Sequence, residues 1–185
     1  MPHHNIRDHY LPPDRDAYLR AEPATGRVIV IAPTRAACET IELACRLRIE
    51  TVLEREHGAE VRDLARRGVG FGIVAGTGTG KTLAIRPIAE EIVGVPLRVG
   101  VVNREREATP ETPTWNVVIV TTGIARRWFQ DELIDPHDTL VVDEIHQTSA
   151  ELELCLALGK RVGCRFVWLS ATVDPAFYAR YLNSA

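Results

Sequence analysis

The sequence predicts an α/β fold, a mainly parallel sheet with helices on both faces. Three observations point there. Short runs rich in valine and isoleucine recur along the chain, each bounded by Gly, Pro, Asn or Thr, as strands buried on both faces read. Amphipathic stretches separate several of them, and strands alternating with helices imply parallel crossovers. The length of 185 residues, 45% of them hydrophobic, suits one domain with its own core.

Taken in chain order, residues 1–26 read as a loose arm, polar and proline-bearing, with no apolar stretch of the signal-peptide kind. His3 and His4 could ligate a metal, but a solvated tail is the simpler account. Residues 27–185 read as the domain. Its strands are RVIVIA (27–32), GFGIVA (70–75), LRVGVV (97–102), NVVIVT (116–121), TLVVDE (139–144) and RFVWLS (165–170). AACETIELACRLRIETVLERE (36–56) reads as one long amphipathic helix. SAELELCLALGKR (149–161) reads as another, with Glu151 and Glu153 in its first turn and Lys160 and Arg161 in its last, as the helix dipole prefers. Gly163 follows as a stop.

The net charge of −3 gives no bulk basic footprint, so any nucleic-acid surface must be a local patch. No apolar run reaches the roughly 18–20 residues of a membrane span, and a membrane is not expected as a partner. Cys38, Cys45, Cys155 and Cys164 form no CxxC pair and no zinc spacing. The first three sit in apolar helical patterns, where buried thiols fit, and a reducing, cytoplasmic setting is expected.

FGIVAGTGTGKTLA (71–84) follows an apolar strand and opens a helix, the context a phosphate-binding loop requires. The loop Gly76-Thr77-Gly78-Thr79-Gly80 lets backbone N–H groups converge on phosphate oxygens without Cβ clashes. The helix N-terminus adds partial positive charge. Lys81 would reach the β- and γ-phosphates of an NTP, pointing into an open cleft, and the Thr82 hydroxyl would ligate Mg²⁺. The alternative is a glycine-rich turn before an ordinary helix. Ala75 stands at the position that usually carries the first glycine, and Pro87 should kink or shorten the helix.

TLVVDEIHQ (139–147) supplies a matching half. Its strand delivers Asp143 and Glu144 at its C-terminal end, where parallel sheets bind ligands. Asp143 would hold the Mg²⁺ shell and Glu144 would act as general base on the attacking water. On its own the pair could equally be a surface cap. His146, two residues on, fits a coupling role better than a core histidine.

Taken together, AGTGTGKT, DEIH and SAT (170–172) resemble motifs I, II and III of superfamily 2 DExH/DEAH-type helicases, in that order. The leading alanine is a familiar helicase form. VVIVTTGIARRWFQDELIDPHDTLVVDEIH (117–146) resembles the segment in which a T-x-G loop and an arginine-bearing helix precede the DExH strand. The resemblance covers roughly residues 70–182. It implies a RecA-like P-loop NTPase domain, the first of two in such motors, using ATP or another NTP with Mg²⁺. By resemblance, His146, Ser170 and Thr172 link hydrolysis to nucleic-acid grip. Thr121, Thr122 and Gly123 match the loop that contacts backbone phosphates, and Arg126 and Arg127 lie one turn further on, unless they are merely a solvated face.

The chain departs from that pattern in two ways. APTRAA (32–37) resembles motif Ia, yet it precedes motif I instead of following it. If the match holds, Pro33, Thr34 and Arg35 hold strand phosphates; if not, this is an unrelated strand–turn–helix. Nothing in the sequence matches a second RecA-like domain or its arginine fingers. The expected function is therefore the first motor domain of a DExH-type helicase on single-stranded nucleic acid, RNA in preference to DNA, completed by a second RecA-like domain in cis or in trans. The rivals are a DNA translocase or restriction-type motor, and a nucleotide-dependent binding scaffold with little turnover.

Overall fold

The computed structural model describes residues 26–47, 51–76, 79–104, 106, 112–171 and 175–183. Residues 1–25 of the expected arm, with His3 and His4, lie outside them, as do Thr77, Gly78 and Thr172.

Six strands form one parallel sheet: β1 (Val28–Ala32), β2 (Phe71–Val74), β3 (Val99–Val102), β4 (Val117–Thr121), β5 (Thr139–Val142) and β6 (Arg165–Ser170). Each apolar run read from the sequence supplies one of them. The spatial order is β2-β6-β5-β1-β4-β3. β1, early in the chain, is thus an interior strand, paired with β4 on one side and β5 on the other. Its five residues are all buried, as a strand covered on both faces demands.

The helices are α1 (Arg35–Arg46), α2 (Val52–Arg66), α3 (Ile85–Val93), α4 (Thr122–Gln130), α5 (Ala150–Val162) and the short α6 (Pro175–Tyr178). Alternating strand residues feed two cores. Val28, Val30 and Ala32 of β1 face α1, α2 and α3, whereas Ile29 and Ile31 face α4 and α5. All four cysteines are buried and free.

The long helix expected over 36–56 is two helices. Leu47 ends α1 in extended backbone (φ −99°, ψ 141°). Thr51, also extended, caps α2 by accepting a hydrogen bond from the Glu54 amide at 3.1 Å. Thr51-Val52-Leu53-Glu54 is a T-x-x-E start signal, and it overrides an amphipathic pattern that runs on through the break. α5 matches its expectation: Ser149 caps it by accepting from the Leu152 amide, and Gly163 closes it at φ 94° in the left-handed region.

Because every strand is parallel, all six C-terminal ends lie on one edge. The register puts Ala32 beside Thr121, Ile31 beside Val142, and Val74 beside Ser170. The loops leaving this edge carry the candidate chemistry.

Candidate nucleotide site and nucleic-acid groove

The phosphate-loop candidate leaves β2 at the outer end of that edge. The Ala75 amide donates to the Ser170 carbonyl at 3.1 Å, so the loop starts tied to β6. Gly80 has φ 93°, and a Cβ there would meet the Thr51 side chain at 2.6 Å. Only glycine fits so close beneath the start of α2 in that conformation. The Leu53 amide donates to the Thr79 carbonyl at 3.2 Å, so α2 begins against the loop. Thr82–Ala84 is a short tight helical turn, and α3 begins only at Ile85. Pro87 then falls in the first turn of α3, where a missing N–H costs nothing, which explains the late start.

Lys81 does not point into an open cleft. Its side chain is folded under the loop and only 8% exposed. Its ammonium donates to the Ala75 carbonyl at 2.6 Å and the Gly76 carbonyl at 3.1 Å. A buried ammonium needs acceptors, and the loop carbonyls supply them. The Thr79 hydroxyl also donates to the Gly76 carbonyl, at 2.8 Å, which tightens the same turn.

Asp143 follows β5 and is 5% exposed. The Thr82 hydroxyl lies 3.4 Å from its Oδ2. Its Oδ1 is buried with no hydrogen-bond partner among the described residues. Burial, and after it the charge of neighbouring Glu144, pushes the Asp143 carboxyl up to about 6. A buried carboxylate oxygen without a donor, close to a threonine hydroxyl, is a donor set that suits a hard divalent cation. The residues present fit Mg²⁺.

Glu144 has φ 54°, a left-handed conformation uncommon for a residue with a Cβ. The turn re-aims its carboxylate across the edge. Oε2 lies 3.0 Å from His146 Nε2 and accepts from Gln147 Nε2 at 3.2 Å. His146 Nδ1 is 2.9 Å from the hydroxyl of the fully buried Ser170. The chain Glu144–His146–Ser170 thus joins the turn after β5 to the end of β6. Strained backbone of this kind clusters at functional sites because the surroundings over-determine it.

Further along the edge, an open groove of about 630 Å³ lies between the ends of β1 and β4. Pro33, Thr34 and Arg35 line one side and Thr121, Thr122 and Gly123 the other. Ile124, Arg104, Arg126, Arg127, Gln130 and Glu151 complete it. Thr34 caps α1, accepting from the Ala37 amide at 3.1 Å. Thr122 and Gly123 form the first turn of α4 and are not a free loop.

No protein-family model matches the chain. An alignment 75 residues long, which covers 37% of this chain, is 32% identical to the ATP-dependent RNA helicase HrpA of Escherichia coli (strain K12), and it spans 6% of that protein's length. Among solved structures, the Sulfolobus solfataricus SWI2/SNF2 ATPase core in complex with dsDNA is similar, with a TM-score of 0.50 at 15% identity, over 68% of this chain and 32% of that one. The chain has a helicase-like RecA fold. No helix among the described residues is long and apolar enough to cross a membrane.

The structure brings Gly76, Thr79, Gly80, Lys81, Thr82, Asp143, Glu144, His146 and Ser170 to one end of the strand edge, and Pro33, Thr34, Arg35, Thr121, Thr122 and Gly123 to the middle of it. Sequence reasoning missed Thr51 against the loop, Gln147 on Glu144, and Arg104, Gln130 and Glu151 in the groove. Only Thr51 had a local signal, its T-x-x-E.

Proposed function

We propose that this chain is the first motor domain of a DExH-type helicase, binding an NTP with Mg²⁺ at the loop 75–82 and a single nucleic-acid strand in the groove beside β1. The observation that carries the reading is the hydrogen-bonded network at the strand edge. Thr82 meets Asp143, and Glu144 reaches Ser170 through His146. A glycine-rich turn without nucleotide chemistry has no use for a buried, half-satisfied carboxylate placed against it.

In this reading Lys81 exchanges the Ala75 and Gly76 carbonyls for phosphate oxygens when nucleotide enters. Thr82 and Asp143 would hold Mg²⁺, which neutralises charge on the phosphates. Glu144 takes a proton from water as the water oxygen attacks the terminal phosphorus in line. The bond from that phosphorus to its bridging oxygen breaks and the nucleoside diphosphate leaves with that oxygen, and the loop amides stabilise the oxygens that gain charge. His146 and Gln147 hold the Glu144 carboxylate in place. Ser170 ends the strand that also anchors Ala75, so loop, base and β6 are joined by one set of hydrogen bonds. Turnover is completed by arginines of a second RecA-like domain, in cis or in trans, worth on the order of 10³–10⁵ in rate.

The position of β1 supports the displaced motif Ia reading. It is an interior strand, and Arg35 lines the same groove as Thr121. Contacts of this kind bind strand phosphates without reading sequence. RNA is favoured over DNA by the similarity to an RNA helicase.

The test is calorimetric titration with ATP and a non-hydrolysable analogue in Mg²⁺, followed by strand binding to matched ribo- and deoxyribo-oligonucleotides. The expectation is nucleotide binding by the wild-type chain that Lys81→Ala removes, and tighter binding to the ribo-strand. Equal nucleotide affinity in both proteins overturns the assignment of the loop.

A further inference from the structure

The groove between β1 and β4 is basic but not uniformly so. Arg35, Arg104, Arg126 and Arg127 line it, and among the described residues lining it Glu151 is the one acid. That acid occupies a particular place. Glu151 sits in the first turn of α5, and its side chain reaches across to the start of α4. Its Oε1 accepts from the Thr122 hydroxyl at 3.1 Å, and its Oε2 accepts from Arg126 Nε at 3.1 Å. Both carboxylate oxygens lie 3.7 Å from where a Cβ on Gly123 would be. The carboxylate therefore lies over the first turn of α4, a nine-residue helix whose N-cap, Thr121, makes no side-chain capping bond.

A planar anion with two oxygens accepting from a hydroxyl and a guanidinium, at the positive end of a helix, has the contact pattern of a phosphodiester. We propose that Glu151 is an internal stand-in for a strand phosphate, holding the second phosphate position of the groove until a nucleic-acid strand displaces it. This rests on the groove reading given above. The first position is the start of α1 at Thr34 and Arg35. The second is Thr122, Gly123 and Arg126, which Glu151 fills.

The pair can open because it is exposed: Arg126 and Glu151 have side-chain exposures of 44% and 41%. Such pairs contribute little to stability, so a competing anion can replace one partner. A phosphate arriving beside Gly123 brings a second negative charge to the same donors, and the two anions cannot share them. Strand entry then releases Glu151, and strand release lets it return. The groove keeps Arg126 in position when empty, and weak or isolated anions meet a site already satisfied.

The electrostatic consequence is measurable. In the wild-type chain Arg126 is already neutralised, so gaining a phosphate there yields less net counterion release than an unpaired arginine gives. Glu151→Gln keeps the shape and the acceptor toward Thr122 but removes the charge. It should bind strand more tightly and with a steeper salt dependence.

The experiment is fluorescence anisotropy with labelled oligo-U and oligo-dT of about 20 nucleotides, a length exceeding the usual site size, over a range of salt concentrations. Proteins are the wild type, Arg35→Ala, Glu151→Gln, Arg126→Ala and the Glu151→Gln/Arg126→Ala double variant. The expected result is roughly three- to tenfold tighter binding by Glu151→Gln at low salt. Its log–log salt slope should be steeper by about one, and the gain should vanish in the double variant. A purely structural role for Glu151 would leave affinity unchanged or lower it. If Arg35→Ala weakens binding while Glu151→Gln does not tighten it, the stand-in is overturned and the groove reading survives. If Arg35→Ala changes nothing, both fall. If the Glu151→Gln gain persists without Arg126, the stand-in is overturned, since the gain then comes from general charge.

Discussion

The two candidate sites on the strand edge hold their cations in opposite ways. At the loop after β2, Lys81 is buried and satisfied by two carbonyls of its own loop. Beside it Asp143 is buried with one oxygen unpartnered. In the groove between β1 and β4, Arg104, Arg126 and Arg127 are exposed, and the ion pair of Arg126 with Glu151 faces water. A dry site makes each interaction strong and intolerant of substitution, because low dielectric magnifies both gain and loss. A wet site spreads its energy over several weak, screened contacts. Single substitutions should therefore act steeply at one end and mildly at the other.

The sharpest break in that comparison should come from Glu144→Gln. It keeps the side chain's shape and removes the proton acceptor. Hydrolysis in single-turnover assays should fall by about 10²–10⁴, with ATP affinity within about twofold. Turnover at the wild-type rate would show that another group is the base.

Lys81→Ala comes next. It should weaken nucleotide binding by at least about 100-fold, since a charge-assisted contact in a dry site is lost. It also takes the ammonium donor from the Ala75 carbonyl, while the Gly76 carbonyl keeps its bond from Thr79, so the melting temperature should drop by a few degrees. Calorimetry and thermal unfolding on the same preparation separate the two effects.

Asp143→Asn probes the same dry end through stability. With its carboxyl pushed up to about 6 from an ordinary 3.8, Asp143 in the folded chain keeps a proton that the unfolded chain releases. Stability therefore falls as pH rises through that window, and the full penalty of a buried charge applies above it. Asparagine carries no such penalty. Without divalent cation, the variant should melt roughly 2–5 °C higher at pH 7.5, and the advantage should fade as pH drops toward 4. Added Mg²⁺ should stabilise the wild type at pH 7.5 and leave the variant unmoved. A constant difference across pH would mean that Asp143 is not the group responsible.

At the wet end, Arg35→Ala should cost only a few-fold in strand affinity and flatten the salt slope by about one. Nucleotide affinity should not change. A loss as steep as that expected for Lys81→Ala would erase the distinction between the two ends.

The same division governs what could be read without coordinates. The candidate nucleotide site is legible as a candidate because its parts are contiguous: a strand, glycines, Lys81 and Thr82 in one stretch, and a second strand delivering Asp143 and Glu144 in another. The six strands are legible because buried strands are unbroken apolar runs, and even the edge strand β2, whose Val74 is exposed, keeps that composition. The inward fold of Lys81 is not legible, since it depends on which carbonyls the loop turns toward the ammonium. The groove is half legible. Arg35 and Thr121 sit in recognisable strings, but Arg104 and Glu151 join them only because β3, β4 and β1 are neighbours and α5 packs on α4. Nothing local to NRERE or SAELE announces that adjacency.

The interior position of β1 has a consequence for how the chain reaches its native state. VIVIA precedes every strand it pairs with, and its partners begin only at Val117 and Thr139. Without β1 between them, the other five strands are two separate blocks, β2-β6-β5 and β4-β3, with no shared edge. Loop-closure entropy must be overcome on both sides before the central strand is rewarded, which places this topology among the slower folders. Through that interval a five-residue, wholly apolar, uncharged segment waits without a partner, the composition that favours intermolecular strand pairing. Refolding yield should therefore decline with protein concentration. A charge introduced at Ile29 or Val30 would suppress that loss only by also preventing the two blocks from joining, so the segment that makes the sheet continuous cannot be made safe by substitution.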